Sequence, residues 1–227
     1  MKKIILLATA TLLLLSTAAF AAENTGFYVG VSGGYVIPQT MTISDPDSGS
    51  WIVDAPLKNG YLGGVKVGWN TPFTNRILAV ELEYNYIFGT GFDNEKIVNY
   101  GGIMPITMEA DIQIHALLLN FKARYPEGRF HPYVGFGVGY AYFETGDATM
   151  RDPGGSVIVT APGASGGAFA YQLLAGLDFD ITPNLGVGIG YKYLASKPTI
   201  GSNVEGTFYA NFDYKASIVT LGLTYTF

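Results

Sequence analysis

The 227 residues carry 13 Lys and Arg against 18 Asp and Glu, a formal net charge of −5, with no basic surplus of the kind that follows nucleic acid. Cys is absent, which excludes a disulfide framework and any thiolate metal site. Gly 30, Tyr 16 and Phe 14 beside 14% charged residues depart from the composition of helical proteins and suit a sheet with one face in lipid.

In chain order, Met1, Lys2 and Lys3 form a short basic region, residues 4–15 are mostly apolar, and Ala19-Phe20-Ala21 is a small-x-small cleavage site. The pattern predicts a secretory signal peptide over 1–21 and an exported chain over 22–227. Its apolar core is too short to span a membrane as a helix. Further on, the longest uncharged run, 153–177, is interrupted by Pro153, Pro162 and repeated glycines, so it cannot be a continuous apolar helix. In hydrocarbon the remaining structure that satisfies every backbone group is a closed β-barrel.

Eight stretches then alternate large apolar with small or polar residues, the signature of strands with one lipid face. They are 27–37, 61–69, 77–88, 112–125, 133–143, 168–179, 185–195 and 215–227. The links between them alternate long and short. The long ones are 38–58, 89–111, 144–167 and 196–214; the short ones are 70–76, 126–132 and 180–184, with turn chemistry such as Thr182-Pro183-Asn184. Outer-membrane barrels alternate short periplasmic turns with longer extracellular loops in this way. Aromatic residues mark both ends of the stretches, as in the two interfacial girdles of such barrels. Phe27, Trp69, Tyr125, Tyr133, Phe179, Tyr225 and Phe227 lie toward the short links; Tyr35, Tyr61, Tyr86, Phe88, Tyr140, Tyr142, Tyr191 and Tyr193 lie toward the long ones. The fourth stretch breaks the rule. Asp111, Gln113 and His115 alternate with Ile112 and Ile114, and the apolar parity changes by Leu117. Either a β-bulge near Ala116 or a strand extension beyond the lipid accounts for this.

The mild face of the strands holds Lys66, Glu81, Glu83, Lys122, Arg124, Asp178 and Lys192, with Asn85, Asn120 and Gln172 between them. Eight strands leave an interior just wide enough for side chains to fill. Charges there must pair, which predicts a polar core of ion pairs, with Glu81 and Glu83 facing Lys122 or Arg124. A narrow path for small ions or solutes through the same network is the alternative. No catalytic, cofactor-binding or metal-binding residue is expected. His115 reads as a lumen or rim polar group and His131 as a surface turn residue, neither with a Ser or acid partner at a usable spacing, and Asp45, Asp47, Asp147 and Asp152 read as solvated loop carboxylates.

The chain closes on Val219, Leu221, Leu223, Tyr225 and Phe227, every second residue large and apolar. This ending resembles the C-terminal strand of bacterial outer-membrane barrels, whose final Phe is read by the barrel-assembly machinery. Across its exported length the chain resembles the small outer-membrane β-barrel family that includes OmpA/OmpX-type and opacity-type surface proteins. The matching pieces are Gly26-Phe-Tyr-Val-Gly30, Pro132-Tyr-Val-Gly-Phe-Gly-Val-Gly-Tyr140, Ala175-Gly-Leu-Asp178 with Ile181-Thr-Pro-Asn184, Gly190-Tyr-Lys-Tyr193 and the terminal Tyr-Thr-Phe227. The resemblance implies an all-β, eight-stranded antiparallel up-and-down transmembrane barrel in the outer membrane of a Gram-negative bacterium. Its expected surroundings are outer-membrane lipid and lipopolysaccharide, the assembly machinery, and an extracellular ligand at the long loops, the barrel itself being a monomer. With the sequence stopping at Phe227, no peptidoglycan-binding domain is expected after the barrel. Members of the family serve as anchors, adhesins, evasion factors or minor channels, so no single activity follows. The expected role is structural or surface-interaction and adhesion-like, with a narrow channel second and a lipid-acting barrel enzyme a distant third.

Overall fold

The computed structural model describes residues 26–44, 52–92, 97–100, 104–201 and 209–227. The expected signal peptide over 1–21, Asp45 and Asp47 lie outside these residues. Eight long strands form the body: β1 (Phe27–Pro38), β2 (Gly60–Asn70), β3 (Leu78–Phe92) and β4 (Met104–Arg124). They continue as β5 (Phe130–Thr145), β6 (Ser165–Asp180), β7 (Leu185–Ser196) and β8 (Tyr209–Thr226). Each pairs antiparallel with its sequence neighbours. β8 returns to β1 over eleven register pairs, from Tyr28↔Thr226 to Pro38↔Ala216, and closes the ring. The result is an all-β, eight-stranded antiparallel barrel, and closure leaves no unpaired edge along its wall.

Alternation sorts the side chains. Val31, Val65, Leu82, Leu119, Phe136, Leu173, Ile189 and Leu221 point outward and are more than a third exposed, an apolar face that would be costly in water and is at home in lipid. The terminal Val219, Leu221, Leu223 and Tyr225 share that outer face, and the Phe227 amide donates to the Phe27 carbonyl at 2.9 Å. Tyr133 departs from its expected place in the lower girdle. Its parity along β5 is inward, and the Lys122 ammonium lies over its ring, 4.7 Å from the centroid.

The interior has two layers, which corrects the expectation of a polar core throughout. Toward the short turns it holds Glu81, Glu83, Asn120, Lys122, Gln172 and Lys192, all buried. Toward the long links it becomes apolar. All eight strands contribute to that cluster, among them Val36, Leu62, Ile87, Leu118, Phe143 and Tyr214. The change of layer explains the odd pattern of the fourth stretch. β4 runs in unbroken register against β5 from Ile112↔Thr145 to Arg124↔Tyr133, so there is no bulge at Ala116. Ile112, Ile114, Ala116 and Leu118 all face inward into the apolar layer, whereas Asp111 and Gln113 face outward. The strand continues; what changes is the polarity of each side. The bulge lies on the neighbouring strand instead, where the β3–β4 register slips between Ile87 and Thr90 and Gly89 takes φ 72°.

The long links are not irregular loops where they are described. β3, β4, β5 and β8 run on beyond the expected strand ends, and short strands lie against them. Met41–Ser44 pairs with β8 and with Ile52–Ala55, Leu57–Lys58 with β3, and Ile97–Tyr100 with β4. Ala148–Arg151 pairs with both β4 and Val157–Ala161. The sheet therefore rises past the barrel wall as a projecting wing.

Close inter-strand contact sets the tolerance of the wall. A Cβ at Gly139 would meet the Leu117 carbonyl and lie 2.8 Å from the Leu118 Cα, both rigid backbone, whereas one at Gly63 meets nothing within 4 Å. Gly139→Ala is expected to cost about 1–3 kcal/mol by overpacking. Gly63→Ala should stay within about 0.5 kcal/mol. Urea midpoints of the two refolded variants check the difference.

Candidate functional site

The inward positions of β1–β4, β6 and β7 bring most of the sequence-predicted charges together. Glu81 is the hub of one group: Tyr28 donates to its Oε2 at 2.9 Å, Lys122 donates to the same oxygen at 3.0 Å, and Lys66 stands 3.5 Å away. Asn120 bridges the two glutamates, donating to Glu81 Oε1 at 3.1 Å and to Glu83 Oε2 at 3.0 Å. Gln172 reaches across from β6 to Glu83 Oε2 at 3.0 Å and to Asn120 Oδ1 at 2.7 Å. Lys192 of β7 forms the ion pair with Glu83. Glu81 thus meets Lys122 as expected, but Glu83 is held by a lysine on the opposite wall. Arg124 pairs with neither glutamate: its Nη1 donates to Asn70 Oδ1 at 3.1 Å, and its Nε is buried without a partner. Asp178 lines the space beside Lys66 and Lys122.

Sequence reasoning missed Tyr28, Asn70 and Tyr133 as members of this layer. Their inward parity, out of step with Phe27, Trp69 and Val134, was the available signal. It also placed His131 at the surface. His131 is 3% exposed, its Nε2 lies 2.9 Å from Asp180 Oδ2 and its Nδ1 2.8 Å from the Tyr125 carbonyl, so it ties the 126–132 turn to β6.

Between these side chains lie two chambers of about 30 Å³ each, enough for one or two waters. The lower one is walled by Tyr28, Lys66, Lys122, Arg124, Asp178 and Asp180 at the short-turn end. Above the Glu83–Lys192 pair the apolar cluster from all eight strands fills the barrel. The polar space is therefore stoppered at its long-link end.

At the outer rim, His115 faces outward. Its Nδ1 is 2.7 Å from the Tyr84 hydroxyl and its ring stacks on Tyr86 at 4.9 Å. Ser165, on the same rim, is held by the Tyr142 hydroxyl at 2.8 Å. The rim thus joins His115 to tyrosines, and the described residues contain no Ser-His-acid arrangement. No group of three or more His, Cys, Asp or Glu positioned for a metal occurs among the described residues. On the wing, Val157, Ile158 and Val159 are each about half exposed, at 53%, 48% and 47%. They belong to the last strand of the sheet, whose far edge is unpaired among the described residues.

Residues 7–227 match the family described as outer membrane protein beta-barrel domain. An outer membrane protein of Gluconacetobacter diazotrophicus is 30% identical over 196 residues, covering 79% of this chain and 48% of its own length, so this chain spans about half of that relative. Outer membrane protein PagN of Salmonella typhimurium is 25% identical over 233 residues, 95% of either chain. Among solved structures, Neisserial surface protein A superposes with a TM-score of 0.54 at 14% identity, over 90% of this chain and 100% of that one. OprG from Pseudomonas aeruginosa gives 0.50 at 15% identity, over 91% and 98%. These two structures share the fold.

The Glu83 cluster yields a direct prediction. Glu83→Ala leaves Lys192 buried without its anion, and Gln172 loses one of its two acceptors, so the variant should lose about 3–5 kcal/mol. Adding Lys192→Met removes the stranded charge and should restore much of the loss. A double-mutant cycle on urea unfolding reads the coupling; an additive result would break the pairing.

Proposed function

We propose a surface-interaction role for this chain, which belongs to the outer membrane protein β-barrel family and resides in the bacterial outer membrane. The observation that carries it is the projecting wing. A closed barrel has no open edge in lipid, yet this sheet continues past the wall and ends on Val157–Ala161 with its outer edge unpaired among the described residues. An exposed edge presents a row of backbone donors and acceptors that an extended segment of another protein completes by adding a strand. The consecutive Val157, Ile158 and Val159 supply apolar contact on both faces of such a strand.

The partner is taken to be an extended polypeptide of another protein rather than a second copy of this chain. Two copies in one membrane could bring this strand together only about an axis along the membrane normal, whereas a segment of another protein reaches the open edge without that constraint. Within the membrane the self-closed wall favours a monomer, the aromatic rim faces lipid and lipopolysaccharide, and the outward Val219, Leu221, Leu223, Tyr225 and Phe227 form the strand offered to the assembly machinery. The channel reading has no comparable support, because its polar lumen meets the apolar cluster of all eight strands.

Adhesion to cultured host cells by bacteria displaying the protein tests the reading. Ile158→Lys with Val159→Lys should lower binding about tenfold or more, the equivalent of 1.4 kcal/mol per decade. The heat-dependent gel mobility of the folded barrel should not change, since the altered strand lies outside the wall. Adhesion that survives both charges would remove the edge from the proposal, and a displayed wild-type protein that adheres to nothing would remove the role.

A further inference from the structure

We infer that the lower chamber of the lumen binds a single small monovalent anion, of chloride size, between Arg124, Lys66 and Lys122. The inference is independent of the surface role. It begins with how the cations are satisfied. Lys192 is matched by Glu83 above the chamber. Lys66 and Lys122 then share one oxygen of Glu81, which already accepts from Tyr28, and the Lys66 contact is long at 3.5 Å. Arg124 has no carboxylate partner among the described residues, only the neutral Asn70 amide, and its Nε is buried with nothing to donate to. Three cations thus converge on the chamber, while Asp178 in its wall and Glu81, reached by Lys66 and Lys122 from beside it, supply two negative charges.

A further carboxylate, Asp180, stands at the mouth. It is 42% exposed and turned toward His131, so water weakens its opposition to an anion in the chamber without removing it. Burying a cation without compensation is expensive, and charge-assisted donors of this kind favour an anionic acceptor over water. The chamber's volume of about 30 Å³ admits something of one or two waters' size and excludes a carboxylate-bearing metabolite. Thr224 and Thr226 also line it and offer neutral donors. The Glu83–Lys192 pair and the apolar layer cap the site, so the anion enters and leaves by the short-turn mouth and does not cross the barrel.

The refolded chain in uncharged maltoside micelles gives the test, with sodium chloride compared against sodium gluconate, whose anion is too large to enter, at equal ionic strength. The urea midpoint of the wild-type barrel should rise with chloride and saturate, and chloride-35 resonances should broaden in its presence. Arg124→Gln should abolish the chloride-dependent difference, and Asp180→Asn, which removes a competing negative charge at an exposed position, should shift saturation to lower chloride. The two variants move in opposite directions, which a general salt effect would not produce. Equal wild-type midpoints in the two salts, or a chloride response unchanged by both variants, would overturn the site. Should Arg124→Gln fail to refold, the Asp180→Asn shift and the wild-type line broadening decide alone, and absence of both rejects the inference.

Discussion

Hydrocarbon offers no water to backbone N–H and C=O groups, and everything else in this chain follows from satisfying them. A sheet solves the problem only if its first and last strands meet. Here that seam is the β1–β8 ladder, Tyr28↔Thr226 through Pro38↔Ala216. Many residues along the seam are small or β-branched, including Val29, Gly30, Val31, Thr220 and Thr224, so the strands can lie close while one face stays apolar. The Phe27 carbonyl accepts from the Phe227 amide at its end, so the pairing extends to the final residue.

Closure at eight strands then dictates the inside. The bore is too narrow to stand open and must be filled by side chains. Near the short turns the filling is ionic, and Tyr28, Asn120 and Gln172 join the two glutamates into one network. Near the long links it is aliphatic and aromatic, and there Phe143 packs edge-on against Tyr214 at 5.4 Å. The two layers are stable for different reasons, and only the first carries chemistry that responds to ions. Their junction is where the polar filling ends and the apolar filling begins.

The exterior was legible because lipid imposes a strict period of two and because long and short links alternate. Eight strands, their order and their neighbours could be read from Val31, Leu82 or Leu221 and their spacing alone. The interior was not legible to the same degree. Period-two reasoning says which side a residue faces, not what stands opposite, and Glu83 and Lys192 are 109 positions apart on strands that do not touch in the wall. The fourth stretch stayed open between a bulge and a strand extension for a related reason, and the extension is what the structure shows. A strand that leaves lipid while its inner face enters an apolar layer exchanges the polarity of both sides at once, and in one dimension that looks like a slip at Ala116. Sequence spacing sets His131 in the 126–132 link whereas it stands in β5, and the girdle reading of Tyr133 passes over its inward parity; each is settled by a partner from another strand, Asp180 or Lys122.

The wing shows the same constraint released. Once β4 passes the level of His115, water can satisfy an unpaired backbone, and closure is no longer compulsory. The sheet continues through Ala148–Arg151 to Val157–Ala161 and simply stops. Natural edges are usually blunted by charge, Pro or a bulge. This one has a register shift beside Arg151, on the paired side, but sets Val157, Ile158 and Val159 in a row along the open strand. An uncharged apolar edge outside the membrane is a liability unless something pairs with it. Within the barrel the closed wall pairs its strands with one another; on the wing the Val157–Ala161 edge is unpaired among the described residues, and the proposed recognition surface lies there rather than in the lumen.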